Sequence, residues 1–453
     1  MRPLYAAALR SRISAIGVAL TTASGFVFLF LVVLEILGAL RSPYSGIVVF
    51  VCLPVLFIAG LLLIPIGLWR ERSRPRAGAA TAAWPKLDLN AVDLRRTLLF
   101  VAGATVANLV LLSFATYGAV QYSESQQFCG QACHAVMEPE FVAHQSGLHG
   151  RVPCVACHVE PGAQGFIKAK LNGTRQLAHV MTGRYPRPIP SPPQTGIPNV
   201  HTSCEQCHWP DRFIGDIIKV VYEYADDEKN TETKTNLQMH VGGPISGTSN
   251  GTGIHWHMNR GNRVDYVALD SKLEQIPYVR ISTPDGSVRE YFSDGVTERD
   301  LAGKPRRQMV CIDCHNRPAH RFGSSPERAV DAAIGAGLIS AKLPFIRREA
   351  VRALKVDYPS QDAALAGIDR QLRAVVQPAL PPNADAALKQ GIGVTQNIYR
   401  TSVFPAMKIG WGTYPYQIGH VTSDGCFRCH DDKHKTKDGL AIRQDCEMCH
   451  AIE

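Results

Sequence analysis

Twelve of the thirteen cysteines in this chain fall into six close pairs, and each pair runs directly into a histidine. Five pairs have two residues between the thiols: Cys154/Cys157/His158, Cys204/Cys207/His208, Cys311/Cys314/His315, Cys426/Cys429/His430 and Cys446/Cys449/His450. The first pair has three, in Cys129-Gly-Gln-Ala-Cys133-His134. Two thiols so spaced can add to two vinyl groups as thioethers, and an imidazole on the next residue can then ligate the enclosed iron. The pattern predicts six covalently bound haem c groups. One such triplet would also suit zinc. Six of them, using every cysteine but Cys52, point to haem, and no even set of thiols is left for a disulfide framework. Cys52 lies in an apolar stretch and is expected to be a small buried hydrophobe.

The six proximal histidines leave ten others that could supply a second axial ligand. His320 and His434 follow proximal ligands by only five and four residues, too few for the chain to wrap a haem. Each would therefore serve a neighbouring haem. The distal expectation is His149, His320, His420, His434 and one of His255 and His257. Those last two would face the same way on an extended chain, one ligating while its twin holds a propionate. Met137, three residues past His134, is either a thioether ligand that raises the potential of the first haem or a gap-filling core residue.

These motifs need an extracytoplasmic location, because haem is attached there, and the first third of the chain supplies one. Residues 13–40, 46–69 and 98–120 are apolar and each exceeds the about 20 residues that a spanning helix requires. Arg2, Arg10 and Arg12 precede the first span, and seven further Lys and Arg residues crowd the 70–96 loop. By the positive-inside rule both segments are cytoplasmic, so the chain after residue 120 lies outside. The expected localisation is the bacterial inner membrane, multi-pass, with a cytoplasmic N-terminus and a periplasmic haem domain.

The charge is lopsided in the same way. Of the net +9, residues 1–120 carry +7 and the remaining 333 residues only +2. A nucleic-acid partner would call for a basic patch on the soluble part, so that class is set aside.

The fold expected is a three-helix membrane anchor (1–120) followed by a mainly α or irregular haem domain with a small β-rich insert. The haem domain divides into 121–210 (haems one to three), the insert 211–310, and 311–453 (haems four to six). A helix is expected over 163–182. Strands are expected over 234–241, 264–269, 278–282 and 288–292. A helical region is expected over 326–372, then a Pro-rich link at 378–382.

A membrane anchor, a haem motif with a nearby Met, a His, 154-CVACH-158 and then a Lys-bearing helix resemble the NapC/NirT/NrfH quinol-dehydrogenase cytochromes over roughly residues 105–210. Later pieces, 204-CEQCHWP-210, 254-IHWH-257, 311-CIDCHNRPAH-320, 411-WGTYPYQIGH-420 and 425-GCFRCHDDKH-434, are similar to the larger inner-membrane multihaem relatives of that family. The resemblance implies quinol as substrate, oxidised beside the first haem. It also implies a Lys twelve residues after the second-haem His, which here is Lys170, with Lys168 close by. Gln176 stands where family members often have a carboxylate, which leaves Glu138 and Glu140 as the acidic candidates by proximity. Three membrane helices, the wider first motif and the 211–310 insert depart from the family pattern.

The function this implies is a membrane-bound hexahaem cytochrome that oxidises menaquinol or another quinol. It would pass electrons to a periplasmic cytochrome or reductase, with membrane lipid around the anchor and a homo- or hetero-oligomer as an open arrangement. The rival is a terminal reductase of a small oxyanion or nitrogen compound, with one haem left open. Ligand count separates them, because a fully six-coordinate set leaves a reductase no site.

Overall fold

The computed structural model describes residues 11–37, 45–72, 90, 92–132, 134–190, 199–209, 213, 215–242, 253–259 and 261–452. The chain divides into two compact units, Met1–His134 and Ala135–Glu453.

The first unit holds α1 (Arg12–Ile36), α2 (Leu53–Arg72) and α3 (Val92–Glu124). A short turn at Ser45–Ile47 and a π-helical stretch, Val48–Cys52, lead into α2. All three helices are long and apolar enough to cross a membrane, with spans at Arg12–Leu34, Ser45–Arg70 and Leu99–Glu124. Their outer surfaces carry exposed Phe26, Phe30, Leu62, Trp69, Leu99 and Phe114, the side chains a lipid environment accepts. α1 and α2 meet along small residues, as membrane helices do where no hydrophobic force separates lipid from protein. A β-carbon on Gly60 would stand 2.7 Å from the Thr21 amide nitrogen, so the two backbones are nearly touching. Ser14 Oγ donates across the same seam to Ile64 O at 2.9 Å. Cys52, expected to be buried, is exposed. The correction has a simple cause: the outside of a membrane helix is itself apolar, so an apolar neighbourhood in sequence does not imply an interior position. Most of the cationic 70–96 loop, Arg2 and Arg10 lie outside the described residues.

The second unit begins with α4 (His134–Gln145), whose first residue belongs to the preceding unit, and α5 (Ala163–Met181). Two antiparallel sheets follow. One has the order β1-β2-β7 and the other β5-β4-β3-β6. The strands are β1 (Ile217–Tyr224), β2 (Glu232–Met239), β3 (Arg263–Val267), β4 (Tyr278–Ser282), β5 (Val288–Phe292), β6 (Arg307–Gln308) and β7 (His450–Ile452). β1 was not among the expected strands. Its apolar residues Ile217, Ile218, Val220 and Val221 come in adjacent pairs rather than alternating, and Ile217, Ile218 and Val220 are exposed. β7 comes from the end of the chain, so the β1–β2 hairpin shares its sheet with the final residues rather than standing alone.

The expected helical region 326–372 resolves into α6 (Pro326–Gly335), α7 (Ile346–Lys355) and α8 (Gln361–Val376). Ser325 and Ser360 cap α6 and α8 by accepting from Arg328 N and Ala363 N. Gly337, at φ 71°, ends α6 in the left-handed conformation, and Leu338 N bonds back to Ala333 O. Beyond the Pro-rich link lies α9 (Asp385–Ser402), which sequence patterning missed. Residues 326–402 contain no Cys or His. They form the largest core of this unit, with Val330, Ile346, Leu354, Ile368, Leu372, Leu388, Ile392 and Tyr399 packed together. Each such burial contributes about 1.5–3 kcal/mol. Asn230, in the β1–β2 turn, ties the hairpin to this bundle by donating to Leu343 O at 2.8 Å and accepting from Arg347 N at 2.9 Å. The bundle is a scaffold against which the haem motifs are fixed.

Candidate haem sites and the histidine pairs

Each described motif is a single tight turn. The proximal His amide bonds back to the first Cys carbonyl in His208→Cys204 (2.9 Å), His315→Cys311 (2.8 Å) and His430→Cys426 (3.1 Å). Such a turn brings the backbone of both cysteines and the histidine close together, as thioether attachment and iron ligation together demand. The described cysteines are all free of disulfides.

Five proximal histidines each face a second imidazole brought from elsewhere in the chain. Ring centroids are 6.0 Å apart for His158–His320 and for His149–His208. They are 6.2 Å apart for His255–His315, 5.9 Å for His257–His430 and 6.2 Å for His420–His450. Metal–imidazole bonds of about 2 Å put two rings on opposite sides of one metal roughly 6 Å apart, centroid to centroid. The spacing fits a bis-histidine iron at all five motifs.

Protonation fits as well. Nδ1 of His320 bonds to Glu140 O at 2.9 Å, that of His149 to Pro318 O at 3.2 Å, that of His255 to Val241 O at 3.1 Å and that of His257 to Ile254 O at 2.9 Å. A carbonyl only accepts, so each Nδ1 carries the proton and each Nε2 keeps its lone pair for a metal. Burial is the largest influence on His255, His257, His315 and His320, and it holds each below the usual imidazole range, in the neutral form that ligates.

Two expectations are corrected here. His434 is not a ligand: Nδ1 meets Asp431 Oδ1 at 2.9 Å and Nε2 meets Ile276 O at 2.6 Å, so neither nitrogen is available. Its place is taken by a second residue of the His255/His257 pair. The two do not point alike, because Ile254–Met258 is a 3-10 turn rather than an extended strand, and each ring serves a different motif. One buried histidine was overlooked. His144 lies 5.8 Å from His320, and its Nδ1 has no partner among the described residues. Its only signal in the sequence was its place between the first two motifs.

The motifs from the second to the sixth follow one another in space in sequence order. As free thiols, Cys157 is raised by burial and then by Cys154 and Cys207. Cys204 is pushed up to about 11 by burial and then by Cys311 and Cys157. Cys314 and Cys429 are pushed up to about 12, chiefly by burial, and each is also raised by a cysteine of the other's motif, Cys426 for Cys314 and Cys314 for Cys429. Cys449 is raised by burial and then by Cys426. Such mutual influence requires the neighbouring motifs to be close.

At the first motif, Cys129 is half-buried, while Cys133 and the side chain of His134 lie outside the described residues. Met137 is half-buried on α4. Of the residues implied for quinol, Glu138 and Lys168 are exposed and Lys170 is half-buried, its Nζ 4.8 Å from the centre of the Phe166 ring. Glu140 is corrected. Both its oxygens accept from Arg317 Nη2 at 2.8 Å, and the Arg317 guanidinium lies 4.0 Å from the Tyr414 ring centre. That carboxylate is occupied in bracing α4 to the segment carrying His320. On α5, Ile167, Leu171, Leu177 and Met181 are exposed alongside the two lysines.

Comparison with known proteins gives the same direction. The sequence model for the N-terminal region of the NapC/NirT cytochrome c family matches residues 92–188. The chain is similar to the cytochrome c-type protein ImcH of Geobacter sulfurreducens, with 40% identity over 447 residues, covering 97% of this chain and 87% of that protein. No solved structure matches.

Proposed function

From the premise that this chain belongs to the NapC/NirT-type membrane cytochromes c, we propose that it is a hexahaem quinol dehydrogenase of the inner membrane. Haem c, when bound, supplies one-electron redox chemistry at its iron. Everything else is the work of the chain. Six cysteine pairs would anchor the haems, the six motif histidines would be their proximal ligands, and His320, His149, His255, His257 and His420 would supply the second ligand at the second to sixth sites, respectively. The observation that carries this reading is the set of five histidine pairs at 5.9–6.2 Å.

Quinol gives up two electrons and two protons at the periplasmic face. Lys170 hydrogen-bonds a quinol oxygen there, and Lys168 and the exposed apolar side of α5 stay near lipid. Glu138 is the remaining acidic candidate for proton acceptance. Electrons then leave along the ordered motifs toward a periplasmic cytochrome or reductase. The pairing of five motifs speaks against the terminal-reductase alternative, since each would be closed to small substrates on both axial sides.

The test is reduction of the purified haem-loaded protein by menaquinol, followed in the visible haem bands. Reduction by menaquinol is expected, with Lys170→Ala needing a severalfold higher quinol concentration for the same rate. A protein that dithionite reduces and menaquinol does not would overturn the proposal.

A further inference from the structure

A direct hydrogen bond joins the fourth and fifth motifs. Asp313 lies between the cysteines of the fourth motif and Arg428 between those of the fifth. Arg428 Nη2 donates to the backbone carbonyl of Asp313 at 2.9 Å. Its other nitrogens are equally committed to carbonyls: Nε to Gly425 O at 2.7 Å and Nη1 to Leu273 O at 2.7 Å. The guanidinium thus ties three backbone segments into one block. Leu273 is buried and held at φ 58°, a left-handed conformation that a leucine adopts only under constraint, so its carbonyl is aimed by the fold.

The charge on this block is unbalanced. The Asp313 carboxylate is taken by others: Arg307 Nη2 at 2.6 Å, Tyr266 OH at 3.0 Å and Val310 N at 2.7 Å. Arg307 balances it. Among the described residues, no carboxylate lies within ion-pair distance of Arg428, whose positive charge faces only carbonyl dipoles. That charge lies at both sites: Arg428 directly precedes Cys429, and the carbonyl its Nη2 bonds belongs to the residue directly before Cys314. On the distal side the same two sites are held by one turn, through His255 and His257.

We propose that Arg428 is a shared positioning residue of the fourth and fifth haem sites, locking the two motifs together and holding a fixed positive charge that favours the reduced state of both. The proposal rests on the haem reading above. A cation near an iron stabilises the added electron, and in a partly buried site the interaction is far less screened than in water. The consequence is a pair of sites in mid-chain with raised potentials, where electrons arriving from the membrane side collect before moving on.

The test uses the full-length, haem-loaded protein. Mass measurement of the parent counts the haems first, and a count below six at these motifs would refute the haem reading itself, separately from the role of Arg428. Potentiometric titration then follows the visible bands of the parent, Arg428→Gln and Arg428→Lys. Arg428→Gln is expected to lower two midpoint potentials and leave the rest in place. Arg428→Lys keeps the charge and is expected to stay at the parent's values. An unchanged titration for Arg428→Gln overturns the proposal, as does an equal fall in both variants. Should Arg428→Gln fail to hold its full haem complement, Arg428→Lys decides alone: parent-like midpoints support the role of the charge and lowered ones refute it.

Discussion

His255 and His257 stand two residues apart on one 3-10 turn, yet they face the proximal histidines of two different motifs and do so at different angles. The His255 and His315 ring planes differ by 5°, those of His257 and His430 by 84°. Parallel axial imidazoles split the iron dπ orbitals, while perpendicular ones leave them nearly degenerate. The fourth site is therefore expected to give an ordinary rhombic low-spin resonance and the fifth a strongly anisotropic one. His257→Ala should abolish the anisotropic signal of the fifth site and add a high-spin one, while His255→Ala removes a rhombic signal instead. Low-temperature paramagnetic resonance of the oxidised protein distinguishes them. Loss of the same signal in both variants would refute the assignment.

His434 was a distal candidate in sequence, and the structure gives it a mechanical task instead. Replacing it with Ala should leave every haem six-coordinate but orphan the Ile276 carbonyl, at a cost of about 1–3 kcal/mol. Denaturation of the holo-protein measures the loss, and the appearance of high-spin haem would contradict the prediction.

Glu140 and Arg317 form a pair with side chains only 18% and 7% exposed. Removing the carboxylate leaves a cation in a poorly solvated site, for which about 3–5 kcal/mol is typical. Glu140→Gln should lower the unfolding midpoint accordingly and also perturb the resonance of the site that uses His320, whose Nδ1 leans on the Glu140 carbonyl. A mere surface carboxylate would change neither.

In the β4–β5 turn, the Asp285 carboxylate is stabilised first by Thr283 Oγ1 and then by Ser287 N, which brings its pKa to about 2 from 3.8. A depressed folded-state pKa contributes stability above 3.8 that is lost as pH falls toward 2. The difference in unfolding midpoint between the parent and Asp285→Ala should thus be constant at neutral pH and shrink below about pH 4. A difference that persists unchanged to pH 2 would exclude the carboxylate as its source.

The haem motifs and the three spanning helices were legible in the chain itself for one physical reason. Each is a contiguous signal, with thiols and imidazole inside one turn or an unbroken apolar run as long as a bilayer is thick. Strands β4 and β5 were legible too, through alternation between turn signals. What the tertiary structure decided was every relationship between distant segments. His434 looks like a ligand until Ile276, 158 residues earlier, puts a carbonyl 2.6 Å from its Nε2. Nothing local distinguishes it from His320, because both are imidazoles a few residues past a motif and only the partner across the gap assigns the role. Glu140 likewise stood as an acidic quinol-site candidate by proximity until Arg317 claimed both its oxygens. β1 and α9 went unread because the apolar residues of one do not alternate and the other follows a Pro-rich link. The sequence by itself determined the six motifs and the cysteines and histidines they offer. The fold decided which second imidazole faces each of five proximal histidines, because such a pairing joins residues that only long-range packing can bring together.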